Sequence, residues 1–212
     1  MLACLMNTRA LFGLVLLLIL GAACSGDGDG RRDAVEVDPA AAIDAFDTHA
    51  EAGSWPRSRL NIAVLADPQG SRAAALPRLE SEDPEVRIAA IYALSITLEP
   101  GDADALARVL GSSNAGERVL AAAGMIAVGD GRAVPVLIDA LAIEDPLPFG
   151  APRLRVWAQA RISLLSFTGQ DFGLRKSATA EESAATQSDW RAWWAKAGAS
   201  FKVVRAPSRF GA

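Results

Sequence analysis

The chain has one histidine in 212 residues, His49, and two cysteines, Cys4 and Cys24. A Ser-His-Asp or Cys-His centre would have to be built on that single imidazole. Zinc would need a ligand set of carboxylates with at most one histidine, which is unusual. No Gly-rich phosphate loop and no dinucleotide fingerprint interrupts the sequence. His49 therefore reads as an ordinary surface residue of an acidic helix. No catalytic, cofactor-binding or metal-ligating residue is assigned, no cofactor is expected, and the chain is read as a non-enzyme.

Aromatic residues are also scarce, at 6%, although 51% of the chain is hydrophobic and much of that is alanine. Small apolar side chains suit helices that pack closely. A β-sandwich needs branched and aromatic residues to fill its faces. Lysine is rare as well, at 3 against 18 arginines, and the net charge of −4 argues against nucleic acid as the main partner. The charge is polarised along the chain. Residues 24–149 carry 10 Arg against 21 acids, whereas residues 150–212 carry 7 Arg and 3 Lys against 4 acids. Unequal solvated faces would account for this; so would a basic C-terminal surface that meets lipid headgroups or an acidic partner.

The one long apolar run spans residues 10–23 behind Arg9. Fourteen residues fall short of the roughly 20 needed to cross a bilayer, but they match the core of a secretory signal. The run ends "LGAAC", with Gly21, Ala22 and Ala23 before Cys24. This resembles a bacterial lipobox, except that Gly21 stands where leucine is usual. The resemblance implies cleavage before Cys24 and acylation of its thiol, with palmitate among the chains. Cleavage would discard Cys4 and leave one thiol, which the lipid consumes. Residues 1–23 are thus read as a lipoprotein signal peptide. Residues 24–38, "CSGDGDGRRDAVEVD", are read as a flexible tether. "DGDG" is not a calcium loop, because Arg31 and Arg32 occupy positions that need an oxygen ligand and a glycine.

From Pro39 onward, helical patterns follow one another with short breaks. "PAAAIDAFDTHAEA" (39–52) comes first, and "SRLNIAVLA" and "SRAAALPRLE" follow, separated by "DPQG". "DPEVRIAAIYALSITL" (83–98) opens with Asp83 as cap and Pro84 at the first helical position. Val86, Ala90, Ala93 and Leu94 fall on one face. "ADALARVL" (103–110) is a shorter partner. The unit recurs as "AGERVLAAAGMIAV" (115–128), the turn "GDG", and "RAVPVLIDALA" (132–142). Arg118 lies 31 residues beyond Arg87, and Arg155, in "PRLRVWAQARISLL" (152–165), lies 37 beyond Arg118, the surplus being the insertion "EDPLPFGAP". A helix, tight turn and helix at a period of 30–40 residues is the pattern of an α-solenoid. Pro135 falls in the first turn of its helix, where a missing N–H is harmless, and Asp130 stands ready to accept from nearby N–H groups.

These residues resemble the bacterial HEAT repeats of the phycobilisome-lyase-like type, strongly over 83–142, partially over 152–167 and weakly over 58–80. The resemblance implies that Arg87, Arg118 and Arg155 reach an acid or a backbone carbonyl and tie successive repeats together. A row of guanidinium groups for phosphate or carboxylate is the alternative reading.

After "ISLLSF" come "TGQDFG", a polar stretch "LRKSATAEESAATQ" and "SDWRAWWAKAG". Such an ending resembles the closing unit of many bacterial HEAT-repeat proteins. Ser188 and Asp189 are expected to cap the last helix, with Glu181 and Glu182 solvated in the preceding loop. Trp190, Trp193 and Trp194 share one face at i, i+3 and i+4. They either seal the end of the array or offer a stacking face to a glycan or another partner. Lys202, Arg205 and Arg209 make the tail basic.

The expectation is an all-α chain: a short HEAT-like α-solenoid of antiparallel helix pairs over residues 39–198, with a Trp-rich C-terminal capping helix and a basic tail over 199–212. Its expected role is that of a scaffold for protein–protein interaction, anchored by lipid to the bacterial cell envelope. In a Gram-negative cell that means the outer membrane or the periplasmic face, and Ser25 after the cysteine favours release to the outer membrane. The protein partner is unknown. The alternatives are an accessory to an envelope enzyme, or a glycan-binding module built on the tryptophans.

Overall fold

Three helices begin with the pair Asp-Pro, and each does so for the same physical reason. Asp38, Asp67 and Asp83 accept from the backbone N–H of Ala40 (3.0 Å), Gly70 (2.8 Å) and Glu85 (2.9 Å). The prolines that follow sit in the first turn, where no helical acceptor exists for an N–H. A computed structural model describes residues 37–47, 58–147, 154–173 and 179–202 of the chain. The signal and tether residues up to Glu36 lie outside that range. So do Cys4, Cys24, His49, Arg205, Arg209 and most of the insertion after Leu147.

The helices are α1 (Pro39–Asp44), α2 (Arg59–Ala66), α3 (Pro68–Ala75), α4 (Pro84–Thr97), α5 (Ala103–Val109), α6 (Ala115–Ala127), α7 (Ala133–Ala140), α8 (Val156–Thr168) and α9 (Ala180–Ala197). Among the described residues there is no strand, only an isolated bridge between Pro146 and Arg155. The protein is all-helical. "DPQG" is not the break it looks like in the sequence. Asp67 closes α2 and at once caps α3, so Pro68–Gly70 are already helical.

Neighbouring helices pack in a regular order. α4 lies against α2 and α6, and α6 lies against α4 and α8. α3 packs on α4, α5 on α6, and α7 on both α6 and α8. α1 covers α2 and α3 at one end, and α9 covers α7 at the other. Polar links join residues about 30 positions apart. Tyr92 donates to Asn61 across 31 positions (3.2 Å), Gln69 to Glu99 across 30 (3.3 Å), and Arg87 to Glu117 across 30 (2.8 Å).

α4 and α6 approach closely. Ala89, Ala90, Ala93, Ala121 and Ala122 of these two helices are buried, and alanine leaves room for backbones to approach. A Cβ placed on Gly124 would lie 2.7 Å from Ser95 Cα, closer than such atoms come. Arg87 meets Glu117 near the beginnings of the two helices, and Gly124 meets Ser95 toward their ends. Beginning therefore lies beside beginning and end beside end.

The "GDG" turn before α7 has a different job for each residue. Gly129 adopts φ 98°, a left-handed conformation that a side chain would resist. Asp130 accepts from the Arg132 N–H (3.0 Å). Gly131 makes space for an indole, since its Cβ would stand 3.3 Å from Trp194 Cη2. Pro135 is the third residue of α7 and is exposed, in the first turn as expected.

The last helix corrects the sequence reading. α9 starts at Ala180, capped by Thr179, whose hydroxyl accepts from Glu182 N–H while the Glu182 carboxylate accepts from Thr179 N–H (3.2 and 2.8 Å). This is a capping box. Ser188 and Asp189 are exposed residues in mid-helix and cap nothing. Glu181 and Glu182 are first-turn residues of α9, not members of a loop.

Candidate interaction surface

Of the three aligned arginines, two sit at the same place in their helices and one does not. Arg87 and Arg118 are each the fourth residue of a helix. Arg87 donates through Nε to Glu117 (2.8 Å) and through Nη1 to the Ser81 carbonyl (2.7 Å). Arg118 donates through Nη1 to the carbonyls of Ser112 (2.7 Å) and Ser113 (3.0 Å). Arg155 precedes α8 in extended backbone and donates to the Glu144 carbonyl (3.0 Å). The bridge to Pro146 uses up what would be the first turn of α8, and the bond from Leu147 N–H to the Leu154 carbonyl (2.8 Å) draws the ends of the insertion together. All three side chains are engaged within the protein.

Glu117 was not singled out from sequence, yet it is the most buried carboxylate among the described residues, at 2% exposed. One oxygen takes Arg87 and the other takes the Ser112 hydroxyl (2.6 Å). A buried carboxylate without such donors would be strongly unfavourable. The signal in sequence is an acid 30 residues beyond an arginine, and it recurs: Arg72 donates twice to Asp102 (2.5 and 2.6 Å), again across 30 positions.

Further ion pairs, with the acid before the arginine and at other spacings, lie on or beside α1, α3, α5, α7 and α9. Arg78 at the end of α3 holds Asp44 of α1, Arg108 of α5 lies 3.4 Å from Glu80, Arg132 holds Asp104 of α5 (2.7 Å) together with Asp130, and Arg191 of α9 holds Asp139 of α7 (2.8 Å). The Arg72 guanidinium holds the Asp102 carboxyl below its usual value, against a smaller opposing effect of burial. Arg132 does the same for Asp130, and Arg78 for Asp44.

α5 is the exposed centre of this row. An open cleft of about 570 Å³ on its α7 side is lined by Asp104, Ala105, Ala107, Arg108 and Arg132. A second, of about 360 Å³ on its α3 side, is bordered by Leu79, Glu80, Ala105, Arg108, Ser112 and Glu117, among others. The surface is small and apolar at the helix and charged at the rim. That composition offers contacts and hydrogen bonds to a surface laid against it.

The tryptophans form a chain of ring contacts. Phe172 meets Trp190 edge-on at 4.8 Å, Trp190 meets Trp193 at 5.6 Å, and Phe201 meets Trp193 at 5.9 Å and Trp194 at 5.2 Å. Trp190 is 2% exposed, and Trp193 and Trp194 are half-buried. Phe201, the third residue assigned to the basic tail, belongs to this aromatic group, and Lys202 beside it is exposed. Gln187 fixes α9 to its neighbour by donating to the Ile138 and Asp139 carbonyls at the end of α7 (3.0 and 3.1 Å). The Ile138 carbonyl also accepts from the Leu141 N–H (3.2 Å), so it serves both the end of α7 and α9.

Among the described residues no group of three or more His, Cys, Asp or Glu is placed to hold a metal ion, and no helix is long and apolar enough to cross a membrane. No protein-family model, curated protein or solved structure matches the chain.

Proposed function

We propose that this protein is a binding scaffold: a short HEAT-like α-solenoid of antiparallel helix pairs, sealed by its tryptophans and tethered to the bacterial cell envelope through a lipid on Cys24. The observation that carries the reading is the recurrence of inter-helix links at about 30-residue spacing, from Asn61–Tyr92 through Arg72–Asp102 to Arg87–Glu117. A chain that meets itself at a fixed interval is stacking equivalent units. Such a stack leaves one row of helices on the outside, here α3, α5 and α7, and the clefts beside α5 are where a protein partner would lie. The rings of Trp190, Trp193 and Trp194 turn toward each other and toward Phe172 and Phe201. That arrangement favours an end cap over a stacking platform for sugars.

The test is capture from detergent-solubilised envelopes in cells fed labelled palmitate. The intact chain should carry the label and enrich a specific protein. Cys24→Ser should lose the label. Ala105→Arg, which fills both clefts from a half-buried position on α5, should keep the label and reduce the captured protein at least about tenfold, the effect of roughly 1.4 kcal/mol. An unlabelled wild type would reject the tether, and enrichment unaffected by Ala105→Arg would reject the clefts.

A further inference from the structure

We infer that α5 is a strut released by salt, whose movement joins the two clefts beside it into one groove. The two rows of helices are held by different forces. α4, α6 and α8 touch through buried side chains, with α4 and α6 so close that Gly124 admits no Cβ. α5 has seven residues and buries only Ala103 and Leu106, where α4 and α6 bury seven and nine. On its flanks it faces open clefts rather than packed helices. Charge bridges those clefts. Asp104 reaches Arg132 on one side, and Arg108 reaches Glu80 on the other.

The pairs differ in how they respond to salt. Asp104, Arg132, Arg108 and Glu80 are 87%, 51%, 69% and 78% exposed at their side chains. Exposed pairs of this kind are weak, and at about 1 M salt the screening length falls to roughly 3 Å. Arg72–Asp102, just before α5, is 25% and 12% exposed and bidentate, so it persists. The start of α5 stays pinned and the remainder is freed. Only Arg108 and Ala105 line both clefts, and displacement of the helix that carries them removes the partition. Among the described residues the packed row of α4, α6 and α8 holds less exposed pairs, Arg87–Glu117 at 28% and 3% and Arg161–Asp171 at 31% and 37%, and its apolar contacts do not respond. This behaviour follows from the geometry alone, whether or not a protein partner uses the groove.

Amide hydrogen exchange of the intact chain in detergent, read by mass spectrometry at about 0.02 M and 1 M salt, tests it. Exchange over 103–110 should rise by about threefold or more at high salt, relative to exchange over 115–127, as expected for two weak pairs lost. The variant Glu80→Gln/Asp104→Asn removes both bridges at exposed positions. It should exchange over 103–110 at the high rate already in low salt and gain nothing further, with 84–97 and 115–127 protected as in the wild type. Salt-independent exchange over 103–110 in the wild type would overturn the inference, and so would a full salt response retained by the variant.

Discussion

Replacing Trp190 with alanine should lower the melting temperature by about 10 °C, the largest effect expected of any one side chain at the C-terminal end. The indole is 2% exposed and touches both Phe172 and Trp193. Truncating a buried tryptophan to alanine removes its transfer free energy and leaves a cavity, together about 3–5 kcal/mol. In a domain of this size each kcal/mol moves the midpoint by roughly 2–4 °C. The effect is local in origin. Trp190 joins α9 to the segment after α8, and Gln187, Arg191 and the fit of Trp194 over Gly131 hold α9 to α7 and the turn before it. Trp193 and Trp194 are half-buried, so their truncation should have roughly half the effect. A shift below about 2 °C for Trp190→Ala, measured by thermal circular dichroism, would show that the aromatic group does not hold α9 in place.

The second large effect has a sign opposite to helix propensity. Glycine in a helix interior is about 1 kcal/mol worse than alanine, so Gly→Ala usually stabilises. At Gly124 the added carbon would meet Ser95 Cα at 2.7 Å and its carbonyl oxygen at 3.1 Å. The obstacle is backbone, which cannot turn aside as a flexible side chain can. Gly124→Ala should therefore destabilise, and Gly124→Val should do so by about 3 kcal/mol or more, since α4 and α6 must move apart along their length. Denaturant titration of the pair decides the point. An alanine variant as stable as the wild type would mean that the seam has slack.

How far the sequence revealed this arrangement depended on how local each signal was. The start of α4 was readable because Asp83 and Pro84 act on their own turn. The alignment of Arg87 with Arg118 held because both occupy the same helical position. Arg155 broke the register, since a bridge with Pro146 displaces the start of α8, and only folding brings those two residues together. The first half of α9 was missed for a different reason. Glu181–Ala185 is exposed apart from the half-buried Ser183, and the buried Thr186 and Gln187 are polar, so this half lacks the apolar periodicity that marks a helix. The Thr179–Glu182 box was the available clue, nine residues before the serine read as a cap. Glu117 was not legible as a buried acid from its own stretch of sequence, because its arginine partner comes from another helix 30 positions away. The clefts beside α5 lie furthest from local reading. They exist because α5 is short and because neighbouring helices do not close over it.

If the molecule is a stack of equivalent layers, one layer can be removed. The chain lacking residues 88–118 joins Arg87, the fourth residue of α4, to Val119, the fifth of α6, so that Val119 takes the place of Ile88. Far-UV circular dichroism with a thermal scan should find it as helical per residue as the parent and still unfolding in one cooperative step, at a lower temperature. A random-coil spectrum, or a helical one without a cooperative transition, would mean that the layers are not interchangeable and that the repeat account is wrong.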